Sequence, residues 1–411
     1  MRTDRAFSLM APFQISDHQA GALGAKSSAG TPHFPFLDVL RGLAILLVFL
    51  HHSLGAAYGY YWQPWKGLFP DFQSADAHWL LFPLTMGNCG VAIFFVVSGF
   101  CIHLSHIRRS SGSSETWKAF AIKRFFRIYP PYILALLVFY LSWPWRTYSL
   151  ASPGWQHQFW SHALMLHNLE ESTAFGINGS FWSIAVEFQL YLIYPILILL
   201  ISRFGWRWTL FFLFTLEALI RLSVFPVASP FCGMHQSPLA YWFSWALGAY
   251  TADCYLRHKI RQFKPFVLVA AFGLALLSYT FSPLVDFQFM AVAILTMLLI
   301  WQAIAKSDSG EKNKRIQPRF LNWFNSNLIK LGIVSYSFYL IHQPILLIVQ
   351  RLKQRFDVLA DFPILSLGLC LLLYVPIFAL SHFLFRYIEK PSARLGRLLS
   401  SNPRLPVASG S

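Results

Sequence analysis

Long, nearly uncharged apolar runs recur along the whole chain, among them GLAILLVFL, FVLVAAFGLALL and FPILSLGLCLLLYVPIFAL. A hydrocarbon crossing takes about 20 apolar residues as a helix, because lipid offers no partner to a backbone N–H or C=O. The composition agrees: 411 residues that are 56% hydrophobic and only 12% charged cannot cover a soluble globule of that size with polar surface. The runs lack the period-two alternation of membrane strands, which excludes a transmembrane barrel. An all-α polytopic membrane protein is expected.

Apolar runs bounded by turn or charge punctuation place about ten transmembrane helices, near 36–57, 80–106, 127–145, 180–202, 206–224, 238–256, 265–282, 287–305, 328–350 and 362–388. Loops retained in the cytoplasm hold most of the Lys and Arg of such a protein. With the N-terminus inside, the tail, the even-numbered loops and the C-terminal end carry 26 of the 33 basic residues. The outer loops carry only Lys66, Arg146, Arg221, Arg351, Lys353 and Arg355, and Arg41 lies within the first span. Both termini are therefore expected to be cytoplasmic. The same retention accounts for the net charge of +16, so no nucleic-acid partner is expected; the partner that the composition demands is the lipid bilayer.

Residues 1–33 mix Ser, Gly, Ala, Asp and Arg without an apolar core of signal-peptide length and read as a flexible cytoplasmic tail. Residues 34–391 form the transmembrane domain, and 392–411 read as a short cytoplasmic tail. Cys89, Cys101, Cys232, Cys254 and Cys370 are scattered without metal or disulfide spacing and read as packing residues. In the long outer connection 146–179, His157, His162 and His167 recur every five residues among Trp155 and Trp160. Five is not a one-face helical spacing, so an interfacial segment is favoured over a metal site and no metal is expected.

Hydrocarbon excludes ionisable side chains unless they are paired or wet, so those inside the apolar runs are the informative ones. They are Asp38, Arg41, His51 and His52 in the first run, His103 in the second, Glu187 in the fourth, Glu217 in the fifth, Asp253 in the sixth, His342 in the ninth, and His382 and Glu389 in the tenth. At 1.5 Å per residue, His52 sits about 24 Å from the inner end of its helix, and Glu187 about 10 Å below the outer surface on a helix running the other way. His342 falls near mid-bilayer. This shared depth suggests a working unit in which His52 is a general base and Glu187 stabilises its imidazolium. The bland reading of each residue is a hydrogen-bonding staple between helices.

At the inner end, Arg41 lies one to two turns inside the first helix, and IKRFFRIYPPY sets Lys123, Arg124 and Arg127 just before the third. A guanidinium fork there suits phosphate or pyrophosphate, with positive-inside anchoring as the alternative. Ser98 and Gly99, at the end of GVAIFFVVSGF, permit close approach of a backbone or a ligand.

FLDVLRGLAILLVFLHH, with ten residues between Arg41 and His52, is followed in order by GVAIFFVVSGF, KRFFRIYPPY, NGSFWSIAVEFQLYLIYP, SYSFYLIHQP and RYIEKP. Together these blocks resemble the acyltransferase 3 family, integral-membrane O-acyltransferases of bacterial surface sugars and small glycosides, over residues 36–391. The resemblance implies a ten-helix multi-pass domain in the bacterial inner membrane. It takes an acyl group, most often acetyl, from acetyl-CoA on the cytoplasmic side and delivers it to a hydroxyl of a sugar-containing acceptor. By block matching, His52 would be the family's essential histidine, Arg41 its paired arginine, Arg124 and Arg127 its cytoplasmic pair, and Glu187 the acid of its WSxxxE block.

On this reading His52 and Glu187 are catalytic, and Arg41, Arg124, Arg127 and Ser98 bind the donor. Acetyl-CoA or another acyl-CoA is a donor substrate, with no tightly bound cofactor expected. Direct attack by the acceptor is favoured over a covalent carrier on Ser98 or His52. Some family members carry an extracytoplasmic esterase-like domain. This chain runs only to Ser411 after Pro391, so it either completes transfer alone or hands over to a separate extracytoplasmic transferase partner. The rival reading is a transporter or flippase of a sugar-lipid with a buried His/Glu proton relay, against which stands the lack of broken helices in repeat-related positions. A non-catalytic glycan sensor is a third reading and would need no CoA site.

Overall fold

The computed structural model describes residues 34–59, 81–110, 116–142, 153–222, 232–308 and 319–400, so the tail expected over 1–33 lies outside the described residues. Among the described residues every regular element is helical. The principal helices are α1 (Pro35–Tyr58), α2 (Cys89–Ser110), α3 (Trp117–Leu141), α4 (Pro153–Ala163), α5 (Phe181–Leu222), α6 (Trp242–Leu256) and α7 (Pro265–Thr280). They continue with α8 (Gln288–Asp308), α9 (Arg319–Ile333), α10 (Ser335–Lys353), α11 (Pro363–Leu372), α12 (Tyr374–Leu384) and α13 (Lys390–Ser400).

Among the described residues six stretches are long and apolar enough to cross a membrane: Pro35–Tyr58, Pro83–Ile107, Trp117–Leu141, Phe181–Leu222, Leu284–Ser307 and Pro363–Ser400. A seventh crossing arises if the bent pair α9 and α10 is one span. The chain is a multi-pass membrane protein. Large exposed side chains such as Phe211, Phe266, Val269, Leu372 and Val375 give its exterior the apolar surface that lipid requires.

Several boundaries depart from the sequence expectation for local reasons. The third helix begins at Trp117, ten residues early, because the Thr116 hydroxyl caps it by accepting from the Ala119 N–H at 3.2 Å. Arg124 and Arg127 therefore lie inside the helix and not before it. The fourth and fifth runs form one 42-residue helix broken at Gly205, whose φ of 72° suits a residue without Cβ. The ninth run is two helices meeting at 83° around Val334. The tenth passes through a π-helical turn at Phe385–Glu389 and ends at Ser400, so residues 392–400, expected as tail, are helical.

Prolines inside helices leave carbonyls without their usual donors, and remote side chains take them. Pro344 frees the Leu340 carbonyl, which accepts from Asn178 Nδ2 at 3.0 Å and ties the segment before α5 to α10. Pro130 frees the Phe126 carbonyl, which accepts from the Ser392 hydroxyl and ties α13 to α3. At the centre lies α6, buried at every residue from Trp242 to Ala249. A Cβ on Gly248 would fall 1.9 Å from the Val96 carbonyl oxygen of α2, and one on Gly99 2.1 Å from that of Trp245, so α2 and α6 touch backbone to backbone.

Two of the intramembrane carboxylates are paired, Glu217 across helices to α6 and Asp253 with the C-cap of its own helix. Glu217 is fully buried and accepts from Ser244 Oγ at 2.9 Å and Arg221 Nη2 at 3.2 Å, while Asp253 accepts from Arg257 Nε at 2.7 Å. Pairing of this kind is what a charge in a dry interior needs. The three histidines of the outer connection do not converge. His157 Nε2 meets Glu170 Oε2 at 2.8 Å on the surface, whereas the buried rings of His162 and His167 stack at 3.9 Å. Burial lowers His162 to about 4 and His167 well below the usual imidazole range, so the stacked pair is neutral at pH 7. Trp160 is exposed, as an interfacial residue should be, but Trp155 is buried and stacks on Tyr140.

Candidate active site

One face of α2 carries Val91, Phe95, Ser98, Ile102 and Ser105 at helical spacing, and this stripe walls a cavity of about 410 Å³. Facing it are Ser183, Glu187 and Tyr191 at four-residue steps on α5, and Lys123, Arg124 and Arg127 on α3. Arg41 of α1, Tyr336 and Tyr339 of α10 and Arg397 of α13 complete the wall. The volume falls within the range of roughly 300–1,000 Å³ typical of small-molecule sites. From Ser105 to Val91 the stripe is about 21 Å long, enough for an elongated ligand to lie along it.

One end of that length is cationic. Arg124 Nη2 donates to Ser105 Oγ at 3.4 Å, and its guanidinium sits 5.4 Å over the Phe120 ring. Arg41 is held from two sides, by Asp38 Oδ1 at 3.0 Å and Cys101 Sγ at 3.1 Å. Buried Glu389 accepts from Ser337 Oγ at 2.7 Å. The lining as a whole sets Arg41, Lys123, Arg124, Arg127 and Arg397 against the single carboxylate of Glu187, which favours an anionic ligand.

The middle of the cavity is a hydroxyl network. Glu187 Oε1 accepts from Ser98 Oγ at 2.7 Å and from the Tyr191 hydroxyl at 2.5 Å, and Trp245 Nε1 donates to Ser98 Oγ at 3.4 Å. The other end is lined by Phe94 and Tyr339, whose rings lie 6.2 Å apart, and the Tyr339 hydroxyl is 2.6 Å from Ser183 Oγ.

Five of the six expected site residues, Arg41, Ser98, Arg124, Arg127 and Glu187, thus share one cavity; His52 is not among its lining residues. His52 Nδ1 lies 3.0 Å from His342 Nε2, and the His342 ring packs 5.3 Å from that of Tyr339. The histidine pair therefore sits behind the wall that Tyr339 forms. The expected contact of Glu187 with His52 is replaced by Glu187 with Ser98 and Tyr191, and by His52 with His342. Equal depth fixes position along a helix, not rotation about its axis, and rotation separates these two side chains. Arg397 and Tyr191 were not expected. The signal for Arg397 was the amphipathic spacing of Arg394 and Arg397 against Leu395, Leu398 and Leu399, which lies beyond the last apolar run.

The model of the acyltransferase domain family matches residues 34–386. Acyltransferase MdmB of Streptomyces mycarofaciens is 26% identical over 331 residues, which are 75% of this chain and 78% of that protein. The O-acetyl transferase of Shigella phage Sf6 is 28% identical over 38% of this chain and 43% of its own length. The peptidoglycan O-acetyltransferase OatA of Listeria monocytogenes is 27% identical over 42% of this chain and 25% of its own length. No solved structure matches the chain.

Proposed function

The chain belongs to this acyltransferase domain family, and on that premise we propose that it is an O-acetyltransferase moving an acetyl group from acetyl-CoA to a hydroxyl of a sugar-containing acceptor. The observation that carries this reading is the cavity with cations at one end and the Glu187, Ser98 and Tyr191 network along its length. Guanidinium groups take phosphates through bidentate charge-assisted bonds, so the cationic end suits the phosphates of CoA and leaves the thioester arm to run inward. The relatives named as O-acetyltransferases, one of them for peptidoglycan, support the acetyl group and a glycan acceptor.

The donor enters from the cytoplasm of a bacterial inner-membrane protein. In that arrangement the halves of α5 on either side of Gly205 are separate crossings, α6 and α7 cross once each, and α9 with α10 cross once, giving ten crossings with both termini inside. His52 lies behind Tyr339 and not on the cavity wall, so this reading requires the thioester to reach past Tyr339 to it; there His52 takes the proton of the acceptor hydroxyl, the freed oxygen attacks the thioester carbonyl, the C–S bond breaks, and the proton passes to the departing CoA thiolate. A sugar-lipid transporter using the same buried groups would release no thiol from acetyl-CoA. The test is release of free CoA thiol from acetyl-CoA by the purified full-length protein, with mass-spectrometric comparison of glycans and glycosides from cells with and without the gene. No thiol release and no acetyl difference would remove the transferase reading.

The cationic end makes its own prediction. Charge-assisted bonds of about 1.5–3 kcal/mol each imply that Arg127→Ala and Arg397→Ala raise the apparent KM for acetyl-CoA about tenfold or more, with kcat less affected. Arg127→Lys keeps charge but loses the fork and should fall between. Acetyl-pantetheine, which lacks the nucleotide phosphates, should show no such difference among the variants. Equal defects with both donors would leave Arg127 and Arg397 as helix anchors.

A further inference from the structure

His342 is not needed for the donor cavity, yet it is fully buried in α10 at a place where a lone imidazole is costly. Its two ring nitrogens meet different partners. Nδ1 lies 2.8 Å from the Tyr339 carbonyl oxygen, which can only accept, so in the neutral ring Nδ1 carries the proton. Nε2 is then the acceptor, and the group 3.0 Å from it, His52 Nδ1, must donate. Each imidazole in turn hands its neighbour a defined proton position.

The chain of bonds has a fixed far end. Tyr339 is held by its hydroxyl on Ser183 at 2.6 Å, and Asn178 Nδ2 grips the adjacent Leu340 carbonyl that Pro344 sets free. Gln343, next to His342, accepts from the Ser180 hydroxyl. Residues on both sides of His342 are thereby bound to the segment that opens α5, through the Leu340 carbonyl and the side chains of Tyr339 and Gln343.

We infer that His342 is a positioning residue that, together with the Val48 carbonyl to which His52 also bonds on its own helix, sets the tautomer of His52: the bond from His52 Nδ1–H to His342 Nε2 places the unprotonated, basic nitrogen of His52 at Nε2. This rests on the reading of His52 as the base that takes the acceptor proton. A structural staple would need only shape and packing at position 342. A tautomer-setting residue needs a hydrogen-bond acceptor where Nε2 now lies.

The two roles separate in two variants. His342→Gln can present its side-chain oxygen to His52 Nδ1–H, while His342→Leu fills space without an acceptor. CoA-thiol release from acetyl-CoA is measured with purified full-length protein in lipid nanodiscs, using a polysaccharide and glycoside extract of the host cells as acceptor. Elution profile and thermal stability verify the fold of each variant. His342→Leu is expected to lose kcat by about a hundredfold, within the range attributed to general-base catalysis, with apparent KM for acetyl-CoA unchanged. His342→Gln is expected to recover most of that loss.

Native kcat in folded His342→Leu, or a folded His342→Gln no better than His342→Leu, overturns the inference. His52→Ala run beside them separates the two readings. If it is inactive while His342→Leu is native, only the positioning role of His342 fails; if His52→Ala retains transfer, the base assignment itself is lost and the inference with it.

Discussion

His52→Ala is expected to lower acetyl transfer by about 10²–10⁴-fold, the span that a positioned general base contributes. The loss should fall on kcat, because His52 is not among the residues lining the cavity to which the donor is assigned. Folding should survive the change: α1 retains its buried packing face from Leu37 through Val48 to Ala57, and His342 retains its bond to the Tyr339 carbonyl. His51→Ala should be milder. His51 Nδ1 donates to the Thr85 carbonyl at 3.1 Å, an anchoring bond between α1 and the short helix Phe82–Thr85. The measurement is acetyl-CoA-dependent acetylation by membrane-inserted variants at saturating donor. Near-native turnover in inserted His52→Ala would take this residue out of the chemistry.

How much of this was legible in the sequence depends on what each signal encodes. Apolar runs mark α1, α2 and α5 well, because burial in lipid requires continuous hydrophobicity over a defined length. The start of α3 was invisible to that signal: its first turns carry Lys118, Lys123 and Arg124, and only the Thr116 cap announces them. The same limit hid α13, whose charged residues interrupt every apolar window although Arg397 lines the cavity and Ser392 bonds back to α3. Five of the residues that the motifs single out, Arg41, Ser98, Arg124, Arg127 and Glu187, line one cavity. Which groups touch within it was not legible, since helical rise gives depth while azimuth is set by packing such as the close approach of Gly99 to Trp245 and of Gly248 to Val96.

That difference decides the outcome of the double variant. Had Glu187 and His52 formed one unit, losing either would cost about as much as losing both. In the structure Glu187 Oε1 instead gathers the Ser98 and Tyr191 hydroxyls inside the cavity, while His52 is bonded to His342 behind Tyr339. Glu187→Gln keeps the shape but trades a charged acceptor for a neutral one. Hydrogen bonds to a charged group contribute about 1.5–3 kcal/mol, so a loss of about 10–100-fold in transfer is expected. Sites without a shared contact combine additively in free energy, so His52→Ala with Glu187→Gln should multiply the single losses to about 10³-fold or more. The assay is a double-mutant cycle on kcat/KM for acetyl-CoA, with the two single variants and the double in the same lipid. A double variant no worse than His52→Ala alone would mean that the cavity network and the histidine pair act as one through Tyr339, the residue on their common wall.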